Sequence, residues 1–206
     1  MNIFSNEPAS VLYNKRYEKF GRDIRTVGWG TSLEQTLRFD VLFRDLNPKG
    51  KTILDVGCGL GDLVPYLNHR TNGDFKYIGI DVASALIEDS KTVHGDTDCS
   101  FFVGDIFNLE LSQVDISVLS GTLTLKRDGI EDYARDTLIK MVKLSREAAA
   151  LNFLSTYVDF EADYNQHYRP ETIFSWAKEL DKRVNLIHDY PLYEFTIQIK
   201  TKNKGV

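Results

Sequence analysis

The sequence predicts an α/β protein built on a doubly wound sheet of seven strands, mostly parallel with an antiparallel last strand, with helices on both faces. Three observations predict it. Five short apolar runs alternate with helix-like segments between residues 51 and 154, the pattern of a parallel sheet crossed by helices. The first run ends in a turn with three alternating glycines that opens a helix. The last two runs, Val184 to His188 and Tyr193 to Lys200, are joined by Asp189-Tyr190-Pro191-Leu192, a connection short enough to make them antiparallel neighbours.

In order, Asn6-Glu7-Pro8 starts a helix that carries Val11, Leu12, Tyr13, Tyr17 and Phe20 and stops at Gly21. Val27-Gly28-Trp29-Gly30 is a flexible corner holding one large aromatic. Thr31 or Ser32, with Glu34 or Gln35, caps a second helix from Leu33 to Leu46, ended by Asn47-Pro48-Lys49-Gly50. Thr52 to Val56 is a buried strand, and the stretch from Lys51 reads KTILDVGCGLGDLVPYL. Gly57, Gly59 and Gly61 make its turn; Asp62 is the expected N-cap of the next helix, with Pro65 in the first turn.

Phe75 to Asp81 is a second strand ending in a carboxylate, and Ser84, the expected cap, begins a helix to Val93 broken by Gly95-Asp96-Thr97-Asp98. Ser100 to Val103 and Asp115 to Ser120 are the third and fourth strands. A helix from Ile130 to Arg146 precedes the fifth, Ala148 to Leu154. Ser155 to Arg169 is polar and aromatic without periodicity, and Pro170-Glu171 opens a helix to Leu180. The strand C-termini fall along one edge, which brings Gly57, Asp81, Asp105 and Ser120 together at the place where such sheets bind ligands.

The 206 residues suffice for one domain with a full core, and no repeat or low-complexity segment divides them. A net charge of −5 gives no footprint for a polyanion; the basic tail Lys200 to Lys204 reads as a solvated end. Cys58 and Cys99 have neither metal-type spacing nor a disulfide framework, so both read as free thiols and no metal is expected. The N-terminus is too polar for a signal peptide and no run reaches membrane-spanning length, so a cytoplasmic protein without membrane contact is expected.

A glycine turn after a strand serves several nucleotide ligands, and the spacing here narrows them. The dinucleotide fingerprint is G-x-G-x-x-G, whereas Gly57-Cys58-Gly59-Leu60-Gly61 is followed by Asp62. A carboxylate at that helix start opposes a diphosphate and suits a cationic or zwitterionic ligand. Asp81, about twenty residues beyond the last glycine, stands where an acidic residue can accept both ribose hydroxyls.

DVGCGLG, then GID at the second strand, GDIF after the third and VLSGTL at the fourth resemble the ordered motifs of class I S-adenosylmethionine-dependent methyltransferases. That family has a Rossmann-like fold, and the resemblance covers roughly residues 50–200. VGWG to Arg38-Phe39 and the closing HDYPLYEF are similar to a bacterial, uncharacterised subgroup. The resemblance implies that Asp55 and Gly57 meet the methionine end of the cofactor, that Gly59 and Gly61 let backbone approach it, and that Asp81 holds the ribose. It further implies that Asp105 and Ile106 meet the adenine, and that Ser120 and Gly121 lie near the sulfonium. Residues 1–50 are expected to form a helical lid in which Trp29 and Arg38 reach the cofactor site, over a core of residues 51–206. A base is needed only if the acceptor loses a proton; His167, with Tyr164 beside it, is the first candidate because imidazole titrates near working pH.

The expected function is methyl transfer from S-adenosylmethionine, giving S-adenosylhomocysteine, to oxygen or nitrogen of a small molecule, by a monomer or homodimer. Three rivals stand beside it: a macromolecular acceptor (RNA or protein), a non-catalytic S-adenosylmethionine-binding module, and aminopropyl transfer on the same fold. Leu119-Ser120-Gly121-Thr122 stands where base-amino methyltransferases carry an Asn/Asp-Pro-Pro-aromatic run, and with the negative charge this disfavours nucleic acid. Aminopropyl transfer lacks the signature of a polyamine site.

Overall fold

A computed structural model describes residues 7–95 and 98–201. Asn6, Asp96, Thr97 and the tail from Lys202 lie outside the described residues. Seven strands form one sheet: β1 Lys51–Val56, β2 Phe75–Asp81, β3 Cys99–Val103, β4 Val114–Leu119, β5 Ser145–Leu154, β6 Val184–Ile187 and β7 Glu194–Lys200. Their order is β3-β2-β1-β4-β5-β7-β6, with β1 to β5 parallel and β7 antiparallel to both its neighbours. The order reverses between β1 and β4, which opens a crevice at their C-terminal ends.

The helices are α1 Ala9–Phe20, α2 Ile24–Val27, α3 Ser32–Leu42, α4 Leu63–Thr71, α5 Ser84–His94, α6 Ile130–Leu144 and α7 Pro170–Leu180. The two-residue period of the strands divides the core. Leu54, Val56, Leu151 and Ile197 meet Leu138 and Met141 of α6 and Ile173 of α7. Ile53, Val118 and Ala150 face the other way, onto Phe39 of α3, Leu63 and Leu67 of α4 and Ile87 of α5. Among the described residues no helix is long and apolar enough to cross a membrane.

Several expectations are corrected. Asp62 sits in the helical region and makes no side-chain capping bond, because its carboxylate faces α3 instead: Oδ2 accepts from Gln35 Nε2 at 3.0 Å. Ser84 is the first helical residue, behind Ala83, and likewise does not cap. The corner before Trp29 contains the short α2, capped by Asp23, whose side chain accepts from Arg25 N at 2.9 Å. β3 reaches β4 through an irregular segment without a helix, whereas α6 passes straight into β5 at Ser145.

α3 begins with a reciprocal capping box between Thr31 and Glu34 and ends at Leu42, four residues before Leu46. The carbonyls at and just beyond its end are met from the sheet: Gln198 Nε2 donates to Leu42 O at 3.1 Å and Arg44 O at 2.5 Å. The alternation of β7 therefore does not separate core from solvent. Its polar residues Glu194, Thr196 and Gln198 are buried as deeply as Phe195, Ile197 and Ile199, because α3 covers that face.

Candidate active site

The strand ends enclose a cleft containing about 890 Å³ of empty space, its open mouth included. Asp55, Gly57 and Gly59 border it from β1 and its turn, Asp81 from β2, Asp105 and Ile106 after β3, and Ser120, Gly121 and Thr122 after β4. The N-terminal helices close the opposite wall with Tyr13, Val27, Trp29, Gln35 and Phe39.

The glycine turn is fixed to β2, since Gly57 N and Cys58 N both donate to Ile80 O, at 2.8 and 3.0 Å. Gly57 has φ +74°, and a Cβ there would come 2.0 Å from Thr122 Oγ1. That hydroxyl donates to Val56 O at 3.0 Å and cannot give way cheaply. The backbone itself forms this part of the wall.

Asp81 is held at both oxygens, Oδ2 accepting from Gly59 N at 3.0 Å and Oδ1 from Ala83 N at 2.8 Å. Burial raises its pKa against the pull of these N–H groups. Each oxygen keeps a lone pair for a further donor. Asp55 is buried, accepts from Tyr77 OH at 2.7 Å, and has its carboxyl pushed up to about 7, by burial first and then by the nearby Asp81 and Asp62. Asp105 accepts from Phe107 N at 2.9 Å and from Tyr133 OH at 2.6 Å. Burial and then that hydrogen bond raise the Tyr133 phenol. Arg22 reaches over the outer rim, with Nη2 3.8 Å from Asp62 Oδ1 and donating to Leu60 O at 2.8 Å.

Four carboxyl groups thus border the cleft, and among the described residues neither lysine nor arginine lines it. Such a lining favours cations over diphosphates. Ile80, Val82, Leu86 and Ile106 add an apolar portion that suits a flat heterocycle. S-adenosylmethionine combines a sulfonium, an ammonium, a carboxylate, a ribose and a purine, and the residues present fit its cationic groups, its ribose and its purine.

Of the residues singled out in sequence, Trp29, Asp55, Gly57, Gly59, Asp81, Asp105, Ile106 and Ser120 line the cleft. Gly61, Arg38, Tyr164 and His167 do not. Gly61 faces packed rings, a Cβ there lying 3.0 Å from His94 and 3.2 Å from Phe101. Arg38 is buried behind Trp29, its guanidinium carbon 4.1 Å from the ring centroid. Tyr164 is half-exposed on a loop whose backbone pairs with the segment after β4, Lys126 N donating to Tyr164 O at 3.0 Å. His167 Nδ1 lies 2.7 Å from Ser155 O, a carbonyl that only accepts, so the ring proton belongs there. Tyr13, Gln35 and Tyr133 line the cleft unanticipated. Tyr13 and Gln35 stood within predicted helices, but nothing in sequence links Tyr133 to Asp105.

The fold and the acidic glycine cleft define a class I S-adenosylmethionine-dependent methyltransferase. The chain belongs to the family described as Methyltransferase domain, whose model matches residues 47–168. A Mycobacterium tuberculosis protein named "Putative methyltransferase Rv1506c" is 31% identical over 159 residues, covering 72% of this chain and 92% of that protein. Magnesium protoporphyrin IX methyltransferase from Synechocystis PCC 6803 with bound S-adenosylhomocysteine is similar in structure, with TM-score 0.67 and 14% identity, over 94% of this chain and 98% of that one. A SAM-dependent methyltransferase from Aquifex aeolicus matches with TM-score 0.66 and 18% identity, over 87% and 97% of the two chains.

Proposed function

We propose that the chain methylates oxygen or nitrogen of a small molecule and that the cofactor lies along the β1–β2–β3 half of the cleft. When bound, S-adenosylmethionine supplies an electrophilic methyl group on a cationic sulfur. Asp81 accepts from the ribose hydroxyls while its own backbone bonds hold it in place. Asp105 and Ile106 meet the adenine. Asp55, Gly57 and Gly59 receive the methionine portion, and the acidic lining favours its positive charges.

Ser120 and Gly121 face the acceptor, which needs chiefly to be aligned and desolvated. The segment before β1 acts as a lid, with Trp29 closing the cleft at Gly121 and excluding water. His167 is the candidate base, because its committed Nδ1 proton leaves Nε2 with a lone pair; that atom is buried away from the cleft lining, so the loop that carries it and Tyr164 has to open towards the acceptor. The negative net charge and the covered cleft favour a small acceptor over a nucleic acid. The similar Synechocystis enzyme, whose name specifies a porphyrin acceptor, is in keeping with this.

The observation that carries this reading is a glycine-walled cleft with four carboxyl groups and no basic lining among the described residues. Calorimetry tests it. S-adenosylhomocysteine is expected to bind the parent and to bind Asp81→Ala at least tenfold more weakly. No binding by cofactor or product, with Asp81→Ala indistinguishable from the parent, would overturn it.

A further inference from the structure

Two charges are buried behind Trp29. Arg38 on α3 is 7% exposed and Glu194 at the start of β7 is 3% exposed. Arg38 Nε donates to Glu194 Oε1 at 2.7 Å, and Nη2 lies 2.5 Å from the same oxygen. The other oxygen is taken, accepting from Asn152 Nδ2 at 3.0 Å. Two guanidinium nitrogens therefore share one oxygen. The third, Nη1, is buried with no hydrogen-bond partner among the described residues. An unsatisfied buried donor on a charged group is costly and calls for a reason.

The surroundings of Arg38 supply one. Its guanidinium is covered by the Trp29 indole, which lines the cleft and presses so close to Gly121 that a Cβ there would fall 2.1 Å from the ring. Trp29 stands between Gly28, at φ +81°, and Gly30, so its backbone has freedom to swing. Asn152 connects the pair to the cleft from below: Oδ1 accepts from Gly121 N at 2.8 Å, and Nδ2 lies 3.4 Å from Ser120 Oγ. β5 and β7, which supply Asn152 and Glu194, lie on the far side of β4 from the glycine turn. This is the acceptor half of the edge.

Resting on the methyl-transfer reading above, we infer that Arg38 is the anion-binding residue of the acceptor subsite. The acceptor is a small molecule carrying a carboxylate, which takes Arg38 Nη1 when Trp29 moves off the guanidinium. A carboxylate accepts charge-assisted bonds from a guanidinium edge, and the shared Glu194 oxygen leaves that edge available. Glu194 and Asn152 are positioning residues, holding the guanidinium beneath the indole.

Benzoate and benzamide, equal in shape and different in charge, probe the subsite by calorimetry with and without S-adenosylhomocysteine. The parent is expected to bind benzoate at least tenfold more tightly than benzamide, and Trp29→Ala to bind benzoate more tightly still. Arg38→Met with Glu194→Gln removes both charges together, leaving neither buried alone. It is expected to lose the preference while keeping its affinity for S-adenosylhomocysteine within twofold. Should that double variant not fold, Trp29→Ala, which removes neither charge, carries the test.

Equal binding of benzoate and benzamide in the parent and in Trp29→Ala would overturn the inference. So would a folded double variant that keeps the preference, since Arg38 then only ties α3 to β7. Loss of S-adenosylhomocysteine affinity in the double variant, with the preference intact, would move Arg38 to the cofactor. A parent that prefers benzoate yet does not bind S-adenosylhomocysteine would contradict the methyl-transfer reading alone.

Discussion

The two halves of the sheet's C-terminal edge handle charge in opposite ways. Along β1 and β2, Asp55 and Asp81 accept from neutral donors, among them Tyr77 OH and the Gly59 and Ala83 N–H groups, and border an open cleft. Along β5 and β7, Glu194 is paired with a cation, and the pair is sealed beneath Trp29. Bare carboxylates on rigid strand ends suit a cationic ligand that arrives complete. A covered ion pair suits a partner for which the wall must first open. On the proposed reading, the difference separates the half that fixes the cofactor from the half that selects the acceptor.

The largest expected effect lies at Gly57. Gly57→Val puts a branched side chain where φ is +74° and Thr122 Oγ1 lies 2.0 Å from the Cβ position. Binding of S-adenosylhomocysteine should become undetectable by calorimetry, with a loss of at least ~2 kcal/mol of stability in denaturant unfolding. Wild-type affinity in this variant would break the comparison, because backbone would then not form the ligand wall.

Asp81→Asn comes next. The amide keeps one acceptor but turns a donor towards the Gly59 or Ala83 N–H, so affinity for S-adenosylhomocysteine should fall about thirtyfold, equivalent to ~2 kcal/mol. Affinity for benzoate should not change, and a parallel loss there would merge the two halves into one site.

Asp55 gives the comparison a pH dependence. Its folded pKa of about 7 lies above the ordinary aspartate value. The unfolded chain therefore releases this proton first, and the contribution of Asp55 to stability falls as pH rises from about 4 to 7. A cofactor ammonium beside it favours the carboxylate and opposes the shift. Affinity for S-adenosylhomocysteine should therefore rise between pH 6 and 7, by up to tenfold per unit, and level off above. Asp55→Asn should flatten that profile and leave the unliganded protein at least as stable as the parent at pH 8. Thermal unfolding and calorimetry read the two parts. The smallest effect is Thr31→Ala, which breaks the α3 capping box and should cost ~1 kcal/mol in denaturant unfolding without changing the strand ends.

Local signals were legible in the sequence. The bounds of β2 and α7 follow from Asp81 and Pro170, residues that end a strand and begin a helix. The glycine turn and the acidic strand ends were equally plain, because each motif lies within a few residues of its strand. What depends on distant packing was not. Asp62 looks like a cap until Gln35 of α3 is seen to donate to it. The burial of Glu194, Thr196 and Gln198 on β7 follows from α3 lying over them, which no local pattern announces. Arg38 meets Glu194 across 156 residues, and Tyr133 of α6 meets Asp105 across 28. Residues 155–169, with neither period nor cap, carried no signal for where His167 and Tyr164 stand.

The most direct test of the division between the halves is a crystal structure with S-adenosylhomocysteine bound. The ribose hydroxyls are expected within hydrogen-bond distance of Asp81, with the sulfur turned towards Ser120 and Gly121 and away from Asp105. A ribose seated elsewhere, or a homocysteine portion running past Trp29 to Arg38, would contradict it.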